Sequence, residues 1–312
     1  MNKSKMSFGV RCLWIMCRTF ALLPRWIQYG CVARVIYLFL RYVVRYRKGL
    51  IIKQLTGSFT ECNEQQILQI CNKYYRSLSE FFVGTIALAG MSEKQCREVF
   101  KLTVPEDIQQ AVGDSHFVVL TSHHNFWEYA QFVNLYFPNS MMVCAYHPLT
   151  NKVMDELFYH LRLFPGTLPV PSSNLIRYFL QHRNSTNPDD KRMILGLVAD
   201  QNAPPMGEVH WYNFLNRQTL FFEGGEQLAL KFHLPVLYLG MKREKAGRYS
   251  GSVELIYDGK QSIEKFEITQ RYVELLERDI RNQPEGWMWS HRRWKYYPDP
   301  ESGKAVYCRE GV

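Results

Sequence analysis

Phe117-Val118-Val119-Leu120-Thr121-Ser122-His123-His124-Asn125-Phe126-Trp127-Glu128 is the stretch on which the reading of this chain turns. Its first five residues are mostly β-branched or aromatic and show no polar alternation, which suits a strand covered on both faces. A polar turn follows, and the pattern from Trp127 to Leu135 predicts a helix. Towards the N-terminus, Ile67, Ile70, Cys71, Tyr74, Leu78, Phe81 and Phe82 recur at helical spacing within Glu64 to Leu88, and residues 92–101 read as a shorter helix. Towards the C-terminus, strands are predicted at Met141 to Ala145, Met193 to Ala199, Val236 to Gly240 and Ser252 to Tyr257. Helices are predicted at Asn151 to Leu163, Leu175 to His182, Phe222 to His233 and Phe266 to Arg281. Asn184 to Lys191 and Ala203 to Gly207 read as surface loops, neither long enough to link domains. Alternating strands and helices predict an α/β sheet with the polar residues that follow its strands gathered along one edge.

At that edge the sequence offers His123, His124 and Glu128, with Asp200 and Gln201 after a later strand. Two pairings compete. On a regular helix, His124 and Glu128 at i, i+4 form a plain surface pair. His123 and Glu128 meet only if His123 ends the strand and Glu128 sits in the first turn that follows, an arrangement that suits a general base oriented by a carboxylate. A metal site is a third reading of the vicinal histidines, yet none of the nine histidines stands in H-E-x-x-H spacing. A satisfied core histidine is a fourth. No Walker sequence or G-x-G-x-x-G is present, so nucleotide chemistry is not indicated, and neither cofactor nor metal is expected.

Charge is distributed unevenly. The 312 residues carry 38 Lys and Arg against 29 Asp and Glu, a net +9. Eleven basic residues (Lys3, Lys5, Arg11, Arg18, Arg25, Arg34, Arg41, Arg45, Arg47, Lys48 and Lys53) and no acidic one lie in residues 1–60, so the rest of the chain is near neutral at −2. This head is also rich in Trp, Tyr, Phe and Ile, unlike a solvated nucleic-acid-binding tail. Arg34, Arg41, Arg45 and Lys48 fall on one face of an ideal helix, a pattern that predicts a helix at an anionic membrane surface. Arg18 and Arg34 interrupt the two apolar runs, so a membrane-spanning helix is not required, while a short tilted anchor with snorkelling arginines is compatible. The bland alternative is a core-packed helical hairpin. The eight cysteines show no C-x-x-C spacing and read as reduced thiols, which favours the cytoplasmic side. Residues 1–53 are accordingly read as basic amphipathic membrane-anchoring helices and 54–312 as a single domain.

The His123-x-x-x-x-Glu128 step after an apolar strand resembles the H(X4)D/E signature of the lysophospholipid acyltransferase superfamily. More closely, the chain resembles the lipid A biosynthesis (lauroyl/myristoyl) acyltransferase branch. The likeness runs through Arg47 to Phe59, Leu197-Val-Ala-Asp200-Gln201, Trp211 to Phe214, Phe221 to Lys231, and Gln283-Pro-Glu-Gly-Trp-Met-Trp289-Ser-His291-Arg292-Arg293-Trp-Lys295. Departures lie at Gln54 and Thr60, where Asn and Pro are usual, and between the paired residues, where the family commonly has Phe-Gly-Asn-Trp and this chain has His124, Asn125, Phe126 and Trp127. The resemblance implies a glycerolipid-acyltransferase-like mixed sheet flanked by helices, with an N-terminal membrane-associated helical arm. It implies transfer of a fatty acyl chain from an acyl carrier protein thioester to a hydroxyl of a lipid A precursor at the cytoplasmic face of the inner membrane. His123 would be the base, Glu128 would stabilise its imidazolium, and Arg162 would serve the oxyanion or a lipid phosphate, or be only a cation at a helix C-terminus. Asp200 and Gln201 would orient polar groups of either substrate, or only cap a loop. A lysophospholipid or amino-acid lipid as acceptor, and a non-catalytic membrane-binding protein, are the rival expectations. The basic aromatic run from His291 to Lys295 is expected either to meet a phosphorylated headgroup or the acidic carrier protein, or to be a solvated edge.

Overall fold

The computed structural model describes residues 6–184, 191–205 and 208–308. Lys3, Lys5, residues 185–190 of the first expected loop and 206–207 of the second lie outside those residues. The N-terminal arm comprises α1 (Phe8–Ala21) and α2 (Ala33–Leu38), the latter flanked by π-helical segments at Trp26–Val32 and Phe39–Val43. Then come α3 (Lys48–Ser58), α4 (Glu64–Ala87) and α5 (Glu93–Val99). The strand-bearing part runs β1 (Phe100–Thr103), α6 (Glu106–Val112), β2 (Phe117–Thr121), β3 (Ser140–Tyr146), α7 (Lys152–Leu161), β4 (Thr167–Pro171), α8 (Leu175–His182) and β5 (Arg192–Val198). A small hairpin of β6 (Tyr212–Phe214) and β7 (Arg217–Thr219) precedes α9 (Gly224–Phe232), β8 (Val236–Lys245), β9 (Arg248–Tyr257) and α10 (Glu267–Asn282). A second hairpin, β10 (Tyr296–Pro298) with β11 (Ala305–Tyr307), follows.

Seven strands form one sheet in the order β1-β9-β8-β2-β5-β3-β4. Every neighbouring pair is parallel except β8 and β9. The result is a mixed, mostly parallel sheet flanked by helices. All five residues of β2 are buried, as an uninterrupted apolar run requires. Val118 and Leu120 enter the layer that α3, α4, α9 and α10 complete. Phe117 and Val119 enter the opposite layer, with α5, α6 and α7. Each side chain so buried contributes about 1.5–3 kcal/mol of transfer free energy, and the period of two divides that gain between both faces.

Local signals start two of the helices where they should. Asn63 and Gln66 form a reciprocal capping box at α4, and Ser92 and Gln95 form another at α5. β4 was not expected from the sequence. Its Pro169 and Pro171 are tolerated because it is the edge strand next to β3, where an N–H facing away from the ladder is not missed. β1, expected as the end of a helix over 92–101, is the other edge strand.

The arm departs from a single straight helix. The π-helical turns shift the angular spacing of side chains, and Arg45 and Arg47 adopt left-handed φ of 51° and 49°. The expected stripe therefore splits: Arg34 and Arg45 are exposed, whereas Arg41 turns in to donate to Asn72 Oδ1 at 2.6 Å. Among the described residues no single helix is long and apolar enough to cross a bilayer, although Trp26–Val43 and Lys48–Ser58, bent by 91°, pass that test as a pair. Positions 53 and 54 both lie inside α3, whose Ile51 and Leu55 are fully buried in the main core.

Candidate active site

β2 and β5 lie side by side with Thr121 opposite Val198, so the residues just beyond them emerge together at the carboxyl edge of the sheet. The Ala199 N–H donates to Thr121 O, continuing the ladder one step past that register. His123 and Asp200 are thereby brought into contact. The His123 backbone N–H lies 3.0 Å from both carboxylate oxygens of Asp200, and its ring Nδ1 is 2.7 Å from Oδ1. A carboxylate only accepts, which fixes the proton on Nδ1 and leaves Nε2 as the basic nitrogen. The Gln201 amide nitrogen sits 3.0 Å from Nε2, positioned to donate to it. The Trp287 indole N–H donates to Asp200 Oδ2 at 2.7 Å. Burial pushes the Asp200 carboxyl up, but the charge of His123 and the donors from His123 and Trp287 outweigh it, so Asp200 titrates below the ordinary carboxylate range.

Glu128 is elsewhere engaged. It lies in the first turn of the 3₁₀ stretch Trp127–Leu135, which stands where the sequence predicts an α-helix, and its carboxylate meets Arg162 at the C-cap of α7. Arg162 Nε donates to Oε2 at 2.9 Å and Nη2 to Oε1 at 2.6 Å, a bidentate pair. Burial lowers and Glu128 raises the Arg162 pKa, and Glu128 prevails. The expected partnership of His123 with Glu128 is thus not the geometry observed. The sequence spacing places the partner within the same loop, while sheet order supplies one 77 residues away. Trp127 intervenes, its ring edge-on to the His123 imidazole at 4.8 Å.

His124 is not a second base or a ligand poised for metal. It is buried, its Nε2 lies 2.9 Å from Gln283 O, and Asn125 Nδ2 lies 3.2 Å from its Nδ1. Its Nε2–H is taken up by that carbonyl, and burial lowers its pKa, so the ring is neutral. Among the described residues no group of three or more His, Cys, Asp and Glu is arranged around a metal position. Asn125 occupies the position where the resembled pattern has glycine, and it adopts the glycine-like φ of 56°. Asn tolerates this region better than other non-glycine residues. Its side chain also works: Nδ2 donates to Met241 O at 2.6 Å and to Gln283 Oε1 at 3.1 Å. Opposite it, Gly286 has no room for a side chain, since a Cβ would lie 2.5 Å from Asn125 Oδ1. Asn125→Ala should therefore cost about 2–4 kcal/mol, from left-handed strain plus an unpaired Met241 carbonyl. Asn125→Gly should cost less, because only the hydrogen bonds go. Urea denaturation of the two variants checks the order; equal losses would contradict it.

The run from His291 to Lys295 is not a solvated edge. Arg293 and Trp294 are each 2% exposed. Arg293 donates through Nη2 to Leu220 O at 2.6 Å and lies over the Phe221 ring, and burial lowers its pKa to about 10. Gln54, noted in the sequence only as a departure from the resembled pattern, ties this segment down. Its amide donates to Trp289 O at 2.6 Å and to His291 O at 2.9 Å, and its Oε1 accepts from the Arg293 N–H at 2.9 Å. Burial, then Arg293 and His123, push His291 down to about 4. His291 and His124 are thus neutral in the fold but take up protons near pH 6.5 when unfolded. For His291 the unfolded state binds more protons between pH 6.5 and about 4, and His124 adds to the effect below pH 6.5, so stability is present above this window and is lost as pH falls through it. Each histidine contributes at most about 1.4 kcal/mol per pH unit there. The melting temperature should fall from pH 7 to 4.5, and His291→Gln should flatten the slope.

Two features at this site carry no signal in the sequence alone: the contact of Asp200 with His123 depends on strand order, and the Trp287 donor depends on a segment 87 residues from its acceptor. The sequence matches the family model described as bacterial lipid A biosynthesis acyltransferase over residues 5–296. A search of curated proteins returned no match.

Proposed function

The chain belongs to the bacterial lipid A biosynthesis acyltransferase family, and on that premise we propose that it moves a fatty acyl chain from an acyl carrier protein thioester to a hydroxyl of a lipid A precursor. As a member of that family it is an acyltransferase; donor, acceptor and place of action are our reading. The observation that carries the mechanism is His123 Nε2, with Nδ1 held by Asp200, at the carboxyl edge of the sheet. The acceptor hydroxyl displaces the Gln201 amide, gives its proton to Nε2 and attacks the thioester carbonyl. A carbon–oxygen bond forms, the carbonyl oxygen carries the charge, and collapse breaks the carbon–sulfur bond. The thiolate takes the proton back from the imidazolium. Asp200 stabilises that imidazolium, and a base so placed is worth about 10²–10⁴ in rate. Arg162 engages Glu128 through Nε and Nη2, which leaves its Nη1 side for the oxyanion or an acceptor phosphate.

Several features support action at the anionic, cytoplasmic leaflet of the inner membrane. The first 60 residues contain no acidic group. Phe8, Trp26 and Val43 of the arm are 84%, 69% and 71% exposed, and Arg11, Arg34 and Arg45 are exposed among them. Exposed apolar and basic side chains interleaved in this way favour an interfacial position, where each cation near anionic lipid is worth about 1 kcal/mol. Mass spectrometry of membrane lipids from cells with the gene, without it, and with His123→Ala tests the whole reading. A lipid A species lacking one acyl chain should accumulate in the second and third. Unchanged lipid A with altered phospholipids or amino-acid lipids would name another acceptor.

A further inference from the structure

Trp287 is buried, and its indole is held between Phe214, Trp289 and Trp294 at ring-centre distances of 5.6, 4.7 and 5.9 Å. Aromatic packing alone accounts for a tryptophan there but not for the direction of its N–H. That N–H meets Asp200 Oδ2 at 2.7 Å, while the ring of His123 takes Oδ1 at 2.7 Å. The two rings therefore occupy opposite oxygens of one carboxylate. The same segment grips the turn that follows His123. Trp287 pairs with His124 in an antiparallel bridge, and the Asn125 N–H donates to Gly286 O at 2.8 Å. The chain is thus closed into a circuit from His123 through Asp200 and Trp287 back to His124.

We propose that Trp287 is a positioning residue for acyl transfer, fixing the rotation of the Asp200 carboxylate and drawing off part of its charge. The inference rests on the reading of His123 and Asp200 as base and partner. A hydrogen-bond donor on the far oxygen stabilises the charged carboxylate and weakens its pull on an imidazolium proton. Losing that donor concentrates charge on the oxygen facing His123, so protonation of the base becomes easier. It also frees the carboxylate to rotate, which misaligns Nε2.

The test replaces Trp287 by its benzothienyl isostere, in which sulfur stands for the indole N–H, and separately makes Trp287→Phe. The full chain is assayed in mixed micelles with an acyl carrier protein thioester and a lipid A precursor, and kcat/KM is followed against pH alongside the melting temperature. The isostere should keep the melting temperature close to that of the parent. The acid limb should move to higher pH by roughly one unit, and the plateau kcat should fall roughly tenfold. Trp287→Phe should show the same shift of the limb even where it melts lower. A limb that stays in place in both variants overturns the inference, because packing alone does not move it. Asp200→Asn run in parallel separates the two levels: if it is inert while the isostere does nothing, only the role of Trp287 fails. If Asp200→Asn retains full rate, the base-and-partner reading falls and this inference falls with it.

Discussion

Asp200→Asn should lower turnover by about 10³–10⁴-fold with little change in fold, the scale expected when the carboxylate behind a catalytic imidazole is lost. The substitution is nearly isosteric, so the aromatic packing around Trp287 has no reason to move. Its chemistry differs in two ways. An amide nitrogen turned towards His123 donates to Nδ1, which forces the ring proton onto Nε2 and removes the lone pair that would take the acceptor proton. An amide oxygen turned that way keeps the tautomer but carries no charge to stabilise the imidazolium. Because the His123 backbone N–H and the Trp287 N–H also converge on this carboxylate, one of the present donors faces an amide N–H in either orientation. Steady-state acyl transfer, with circular dichroism as the control for folding, checks this. A loss smaller than tenfold would remove Asp200 from the mechanism.

The second large effect is on stability. Arg162→Met should destabilise the protein by about 3–5 kcal/mol, because it leaves the Glu128 carboxylate, 5% exposed, without its cation. The pair itself is not a measure of net gain, since burying two charges costs much of what their attraction returns. Removing one partner is what costs most. Glu128→Gln added to Arg162→Met should therefore recover a large part of the loss, because it removes the stranded charge. Arg162→Lys should recover only some, since a point charge cannot form the two-pronged contact. Urea denaturation of these three variants and of Glu128→Gln alone measures these terms; additive losses in the double variant would contradict the pairing.

Where sequence and structure agree, the reason is local. Phe117 to Thr121 reads as a doubly covered strand because its apolar residues are continuous, and Asn63 with Gln66 announces α4 through side chains three residues apart. Asp200 and Gln201 were recognisable as residues at the sheet edge because they end an apolar run. What the sequence does not disclose is adjacency. β5 inserts between β2 and β3, and only that order puts Asp200 on His123 and leaves Glu128 for Arg162. The arm was legible in composition but not in shape, since π-helical turns carry no periodicity signal distinct from a straight helix and turn Arg41 inward. Arg293 shows the same limit. A basic residue in an aromatic run reads as a surface group until Gln54, Leu220 and Phe221 are seen to enclose it.

The central claim is that His123 and Asp200 act as one unit in proton transfer, and a double-mutant cycle tests it most directly. Rates of acyl transfer are measured for His123→Ala, Asp200→Ala and the pair combined, each relative to the parent. Groups acting as a unit are strongly non-additive. The double variant should be no slower than His123→Ala alone, since Asp200 has nothing left to orient once the imidazole is gone. Losses that multiply would show that the two residues contribute independently, and the proposed base would then lack the partner on which its geometry depends.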